Sequence, residues 1–177
     1  GLGPKGDLTP ETLRISAAAV AKYCIADKID SVTFLLPIEA KENVMSQAAS
    51  EGMVLGSYQF NEFKSKKDDL FELRHASIVG GNKKAVERGA IIGNSVCFAR
   101  DLENRPGNIA TPSHLADNAI EIGNSSDVKV TVFDRDKFTK IGMGALAGVA
   151  YGTDEPPKFI ILDYFNVHKK QKPKVLV

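Results

Sequence analysis

The 177 residues, 43% of them hydrophobic and 25% charged, have the make-up of an ordinary globular chain with room for one domain or two small ones. The 23 basic and 22 acidic side chains leave a net charge of +1, which excludes a general electrostatic pull toward nucleic acid or an anionic membrane. No apolar run approaches the ~20 residues that span a bilayer, and the first residues lack the order of a secretory signal. Cys24 and Cys97 stand far apart in no Cys-x-x-Cys pairing, so two reduced, packed thiols in a cytoplasmic protein are expected.

Thr9-Pro10 reads as an N-cap hydroxyl and a first-turn proline, and Leu13, Ala17, Val20, Ala21 and Cys24 then share one helical face. Ser31 to Leu36, closed by Pro37, lacks alternation and suits a buried parallel strand. A second helix is expected from about Glu39 to Leu55, with Val44, Ala48 and Leu55 on one side. The polar run Asn61 to Asp69 reads as a solvated connection and Phe71 to Val79 as another strand. After Gly80-Gly81-Asn82 comes the longest helical stretch, Lys83 to Leu102, roughly 30 Å long at ~1.5 Å per residue. Val86, Ala90 and Cys97 fall on one face of it and Ile91, Phe98 and Leu102 on another, so it is expected to be covered from two sides.

Pro106 lacks an amide donor and turns Arg105 away from helical dihedrals, so this helix should stop near Asn104. Thr111-Pro112 then starts a new one, with Leu115, Ala119 and Ile122 recurring at helical spacing. Val128 to Phe133 alternates as a strand, and Asp134 caps a short helix that ends at Gly142. The glycine-rich stretch 142–152, a strand at Phe159 to Leu162 and a terminal strand at Val175 to Val177 complete the series. Alternating helices and strands imply an α/β fold with largely parallel pairing.

The stretch from Arg100 to Ala116 carries a family signature. Its Arg100-Asp101-Leu102, Asn104, Pro106, Asn108, Thr111-Pro112 and Leu115-Ala116 resemble the linker between the amino-terminal and catalytic domains of the leucyl (cytosol) aminopeptidase family of dinuclear metallopeptidases. Gly142-Met143-Gly144, Val149-Ala150-Tyr151-Gly152, Glu155-Pro156-Pro157 and the run Phe159 to Tyr164 agree with that family in the same order. The resemblance implies a macro-domain-like amino-terminal α/β domain, incomplete at its start, over 1–82, a linking helix and turn over 83–106, and the first part of an α/β catalytic domain over 107–177. It further implies release of amino-terminal residues, leucine among them, from peptide substrates, two divalent metal ions of manganese or zinc, and a hexameric homo-oligomer. The Gly-Lys-Gly-x-x-Phe-Asp-x-Gly-Gly and Asn-Thr-Asp-Ala-Glu-Gly-Arg segments that hold both metals in the family are absent from this sequence. The chain is therefore expected to be an inactive portion of the enzyme, and no residue of it is assigned as catalytic, metal-ligating or cofactor-binding.

Other features have plainer readings. Gly1-Leu2-Gly3-Pro4-Lys5-Gly6 spells a dinucleotide fingerprint, but Pro4 removes a cradle amide and the helix starts only at Pro10, so a tight loop is expected. His75, His114 and His168 form no zinc-ligand spacing, and Asp134-Arg135-Asp136 reads as a cap with a first-turn acid. Ser95 and Ser113 lack a Gly-x-Ser-x-Gly setting. Lys169 to Lys174 has no interleaved aromatics, which makes nucleic acid an unlikely partner. The alternative to the enzyme reading is a non-catalytic α/β binding or assembly module.

Overall fold

The structure, a computed structural model, describes residues 2–37, 43–66 and 70–164. The chain divides into two compact units, Gly1–Asn104 and Arg105–Val177. Among the described residues no helix is long and apolar enough to cross a membrane.

In the first unit, α1 (Pro10–Ala26) opens on the Thr9 cap, with Thr9 and Thr12 exchanging side-chain-to-backbone hydrogen bonds as a reciprocal capping box. Its expected apolar face is the buried one, since Leu13, Ala17, Ala21 and Cys24 are all covered. The strand β1 (Ser31–Leu35) pairs in parallel with β2 (His75–Val79), Ser31 opposite His75 and Leu35 opposite Val79. The second strand is shorter than its composition suggests, because the Arg74 and His75 amides both donate to the single carbonyl of Asp30, where β1 has not yet begun. Val32, Phe34 and Ile78 pack from the sheet onto Leu13, Ala17, Ala21, Ala49 and Met53.

The helices α2 (Asn43–Ser57) and α3 (Lys83–Asn104) correct the expected faces. It is α2 that is covered from two sides, lying between α1 and α3, with Ala48, Ala49, Gly52, Met53 and Gly56 buried and Val44 exposed. On α3 the buried residues are Ala85, Gly89 and Gly93, at every fourth position, whereas Ile91 and Phe98 are exposed. Small residues decide this because helix axes can approach only where side chains are short. A methyl group on Gly56 would lie 2.5 Å from the Ala18 Cα, and one on Gly93 would lie 2.8 Å from the Val54 Cβ. A polar tie reinforces the α1–α2 seam. Arg14 donates from Nε and Nη2 to Glu51 Oε2 at 2.8 and 2.7 Å, Gln47 donates to Glu51 Oε1 at 2.7 Å, and Glu11 also pairs with Arg14. The hydrogen bond to Glu51, and then the charges of Glu51 and Glu11, raise the Arg14 guanidinium above its ordinary range against the opposing effect of burial.

The second unit begins with a turn and α4 (Pro112–Ser125), followed by β3 (Val128–Phe133), α5 (Arg135–Lys140), α6 (Gly144–Val149) and β4 (Phe159–Tyr164). The expectation of largely parallel pairing fails here: β3 and β4 are antiparallel, Val128 opposite Tyr164 and Phe133 opposite Phe159. The two short helices between them bring the chain back alongside β3 in the opposite sense, which composition cannot signal. On α4 the buried residues are Ala116 and Ala119, with Leu115 partly exposed. Phe138 of α5 is fully buried and anchors this unit. The start of the second expected helix at Glu39, part of the 61–69 connection, His168, the Lys169 to Lys174 cluster and the Val175 to Val177 strand lie outside the described residues.

Candidate functional site

The signature stretch straddles the boundary between the two units, and its polar side chains are engaged on both sides. At the end of α3, the Tyr58 hydroxyl donates to Asp101 Oδ1 at 2.9 Å and accepts from Asn104 Nδ2 at 2.9 Å. The Arg100 guanidinium lies over the Tyr58 ring, 5.5 Å from its centre. Three residues of the signature thus hold one tyrosine that follows α2, and the last turn of α3 is pinned to the end of its neighbour. Burial first, with the Asp101 carboxylate adding to it, raises the Tyr58 phenol above its ordinary 10.0, while the Asn104 donor pulls the other way. Cys97, half-buried one turn earlier, has its thiol raised chiefly by burial.

Past Arg105 the chain makes one tight turn. The Ile109 and Ala110 amides both donate to the Pro106 carbonyl, at 2.8 and 2.9 Å. Thr111 then caps α4 by accepting from the His114 amide at 3.2 Å, as the Thr-Pro pair predicts. His114 Nε2 lies 2.7 Å from Arg105 Nη1 and 3.1 Å from Asn118 Nδ2. Neither this group nor the Tyr58 group was identified from sequence. The local hints were the three-residue step from Asp101 to Asn104 and the four-residue step from His114 to Asn118, each of which sets two polar side chains on one helical face.

The remaining candidates are accounted for by local structure. Asp134 Oδ1 accepts from the Lys137 amide and Arg135 donates to the Ala150 carbonyl, so this triplet caps α5 and ties it to the following turn. Gly142, at φ +90°, closes that helix in the left-handed region where glycine costs least. Asp134, Arg135, Asp136, Asp154 and Glu155, with Pro156 and Pro157, line a cavity of about 250 Å³. A second cavity, of about 240 Å³, lies at the start of α3 between Asn43, Gln47, Asn82, Lys84, Ala85 and Arg88. There Asn82 Oδ1 caps the Ala85 amide. Lys5–Asp7 forms a single 3-10 turn, and α1 starts only at Pro10, so the glycine fingerprint lacks the helix it requires. His75 is exposed on β2, and the Ser95 hydroxyl donates to the Ile91 carbonyl within its own helix. Among the described residues no three His, Cys, Asp or Glu side chains gather as a metal-ligand set.

Comparison with known proteins places these units. The N-terminal domain of the cytosol aminopeptidase family matches residues 1–67, and the catalytic domain of that family matches residues 97–177. A probable cytosol aminopeptidase of Bdellovibrio bacteriovorus is 37% identical across the whole of this chain, and one of Aquifex aeolicus is 32% identical across the whole of it. The chain spans 37% and 36% of their respective lengths. Among solved structures, the bottromycin maturation enzyme BotP in complex with Mn superposes with a TM-score of 0.82 at 29% identity, over 93% of this chain and 35% of that one. A mutant of tomato leucine aminopeptidase superposes at 0.80 and 29%, over 97% of this chain and 36% of that one. With its two domain models matched in order and its α/β units superposing on these neighbours, the chain belongs to the cytosol aminopeptidase family.

Proposed function

We propose that this chain serves a metal-dependent aminopeptidase that releases amino-terminal residues, leucine among them, from peptides in the cytoplasm as a homo-oligomer, a hexamer by family resemblance. Residues 1–82 supply the amino-terminal domain, 83–106 the linking helix and turn, and 107–177 the beginning of the catalytic fold. The observation that carries this reading is the ordered match of an amino-terminal and a catalytic domain description along one chain. The manganese bound to BotP supports a divalent cation as cofactor, manganese or zinc, for the whole protein.

The donor set of the described residues does not fit a pair of such cations, since no three suitable side chains converge. The lysine, aspartate and glutamate segments that the resemblance expects are not among the 177 residues. No step of the hydrolysis is therefore assigned to these side chains. Their part is architectural: the Tyr58 group fixes the exit of α3, and the Thr111 cap fixes the entry to α4.

The test compares leucine p-nitroanilide hydrolysis by the 177-residue chain with hydrolysis by the same chain continued with the remaining catalytic sequence of the Bdellovibrio relative. Manganese or zinc is supplied to both, with chelated controls. Chelator-sensitive turnover by the continued chain alone is the expected result. A continued chain that folds and binds manganese yet leaves the substrate intact would overturn the reading and favour a non-catalytic binding or assembly module.

A further inference from the structure

We infer that the outward face of α3, carrying Ile91, Phe98 and Leu102, is the docking surface for the part of the catalytic domain that the relatives carry beyond the length matched here. The inference rests on the aminopeptidase reading above. Steps of seven and four residues keep these three side chains on one stripe of the helix. The other side of α3 is already covered, since Gly89 and Gly93 pack against Gln47, Ser50 and Val54 of α2. The stripe itself is bare: Ile91 is 67% and Phe98 41% exposed, with Leu102 half-buried. Ser95, beside it, does not interrupt it with an unmet donor, because its hydroxyl is bonded to the Ile91 carbonyl. A helix with two faces fit for burial is one that packs from both sides, and a contiguous bare apolar patch marks an interaction surface.

The boundaries of the domain matches identify the occupant. The compact unit that contains α3 runs to Asn104, yet the catalytic-domain match begins at Cys97, inside that helix. Residues 97–104 therefore fold with the first unit while counting in sequence with the catalytic domain. Within this shared stretch Arg100 and Asp101 face Tyr58 of the first unit, and Phe98 faces outward. The residues with catalytic-domain identity are thus the ones that hold an apolar side chain in the open. The matched length is 37% of the Bdellovibrio relative, so most of that protein lies outside the match and includes the rest of its catalytic domain. A second copy of this chain is the competing occupant, and the test separates the two.

Ile91→Cys sets a thiol on the stripe, and Ile15→Cys, at a position 61% exposed on α1, which α2 separates from α3, is the control. Maleimide labelling is compared between the 177-residue chain and the chain continued with the remaining catalytic sequence of the Bdellovibrio relative. Fragment-ion mass spectrometry scores Cys97 separately. The two introduced thiols should react alike in the short chain. In the continued chain Ile91→Cys should slow by roughly tenfold or more, as a covered site does, while Ile15→Cys keeps its rate. Phe98→Glu is the second arm. It should shift the melting temperature of the short chain by no more than about 2 °C, as a surface change does, and lower that of the continued chain by roughly 5 °C or more, where the charge is buried unpaired. Undiminished labelling of Ile91→Cys in a continued chain that hydrolyses leucine p-nitroanilide would overturn the inference and leave the aminopeptidase reading standing. A continued chain that folds and binds manganese but is inactive would overturn that reading, and the inference with it. Labelling of the short chain that slows as protein concentration rises would assign the face to a second copy and equally overturn the inference.

Discussion

Substituting Gly56 by alanine tests the claim that glycine contacts set the spacing of the helices. The new methyl group would lie 2.5 Å from both the Cα and the carbonyl oxygen of Ala18 in α1. These are backbone atoms, so no rotamer change relieves the clash and the helices themselves must part. Alanine gains about 1 kcal/mol over glycine in helix propensity, whereas overpacking costs about 1–3 kcal/mol. With rigid neighbours the cost sits at its upper end, and a net loss of about 1–2 kcal/mol is expected. Urea unfolding followed by circular dichroism should show it as a midpoint lowered by roughly 0.5–1 M, for a slope of about 2 kcal/mol per M. Gly148→Ala is the control, since nothing lies within 4 Å of the added methyl group and α6 gains propensity without a clash. A Gly56→Ala chain at least as stable as the parent would refute the close-approach argument.

Tyr58→Phe should lose about 1 kcal/mol and raise hydrogen exchange over the last turn of α3, because the hydroxyl links Asp101 to Asn104. The same link has a pH signature. The folded-state phenol is raised above 10.0, so its contribution is complete below pH 10 and is lost as the pH rises through the folded value. Ultraviolet titration of the tyrosines against the Tyr58→Phe variant would detect this late-ionising group, and an unchanged titration would count against it. Glu51→Ala should destabilise by about 2–3 kcal/mol, less than the 3–5 for a fully buried pair because Arg14 is 31% exposed and keeps Glu11, and thermal melting would measure it. Cys97, with its thiol raised by burial, should react with iodoacetamide more slowly at pH 7.5 than a free cysteine, and mass spectrometry of the tryptic peptide would show whether it does.

Much of the local structure was legible because it is written in neighbouring residues. The Thr9-Pro10, Thr111-Pro112 and Asp134 starts all form the caps that their side chains predict, and the buried face of α1 follows its apolar spacing. Where burial depends on another element, the apolar pattern misled. Ile91 and Phe98 are exposed while Gly89 and Gly93 are buried, because helix α2 offers a close-packed surface on which glycine is the better fit. Strand direction was equally hidden. An antiparallel return of β4 on β3 depends on how two six-residue helices fold back, and period-2 patterning is blind to it. The polar group at Tyr58 was missed for a similar reason: its partners lie 43 and 46 residues away in sequence.

The residues that identify the family most sharply are the ones that place the chain as it passes from one unit to the next. Arg100, Asp101 and Asn104 contact Tyr58, the Pro106 carbonyl holds a turn, and Thr111 forms a cap. A signature of this kind is specific because each position meets a different demand: a donor, an acceptor, a missing amide, an extended cap. The match to an aminopeptidase family over residues 1–67 and 97–177 thus stands beside described residues among which no set of metal donors converges. It also fixes how substitutions here should read out in a continued, active chain. Tyr58→Phe should disturb stability and the order of the linking turn before it disturbs chemistry, so an intact substrate affinity with a lowered melting temperature is the expected pattern, and a selective loss of turnover at unchanged stability would mean that this group reaches the reaction after all.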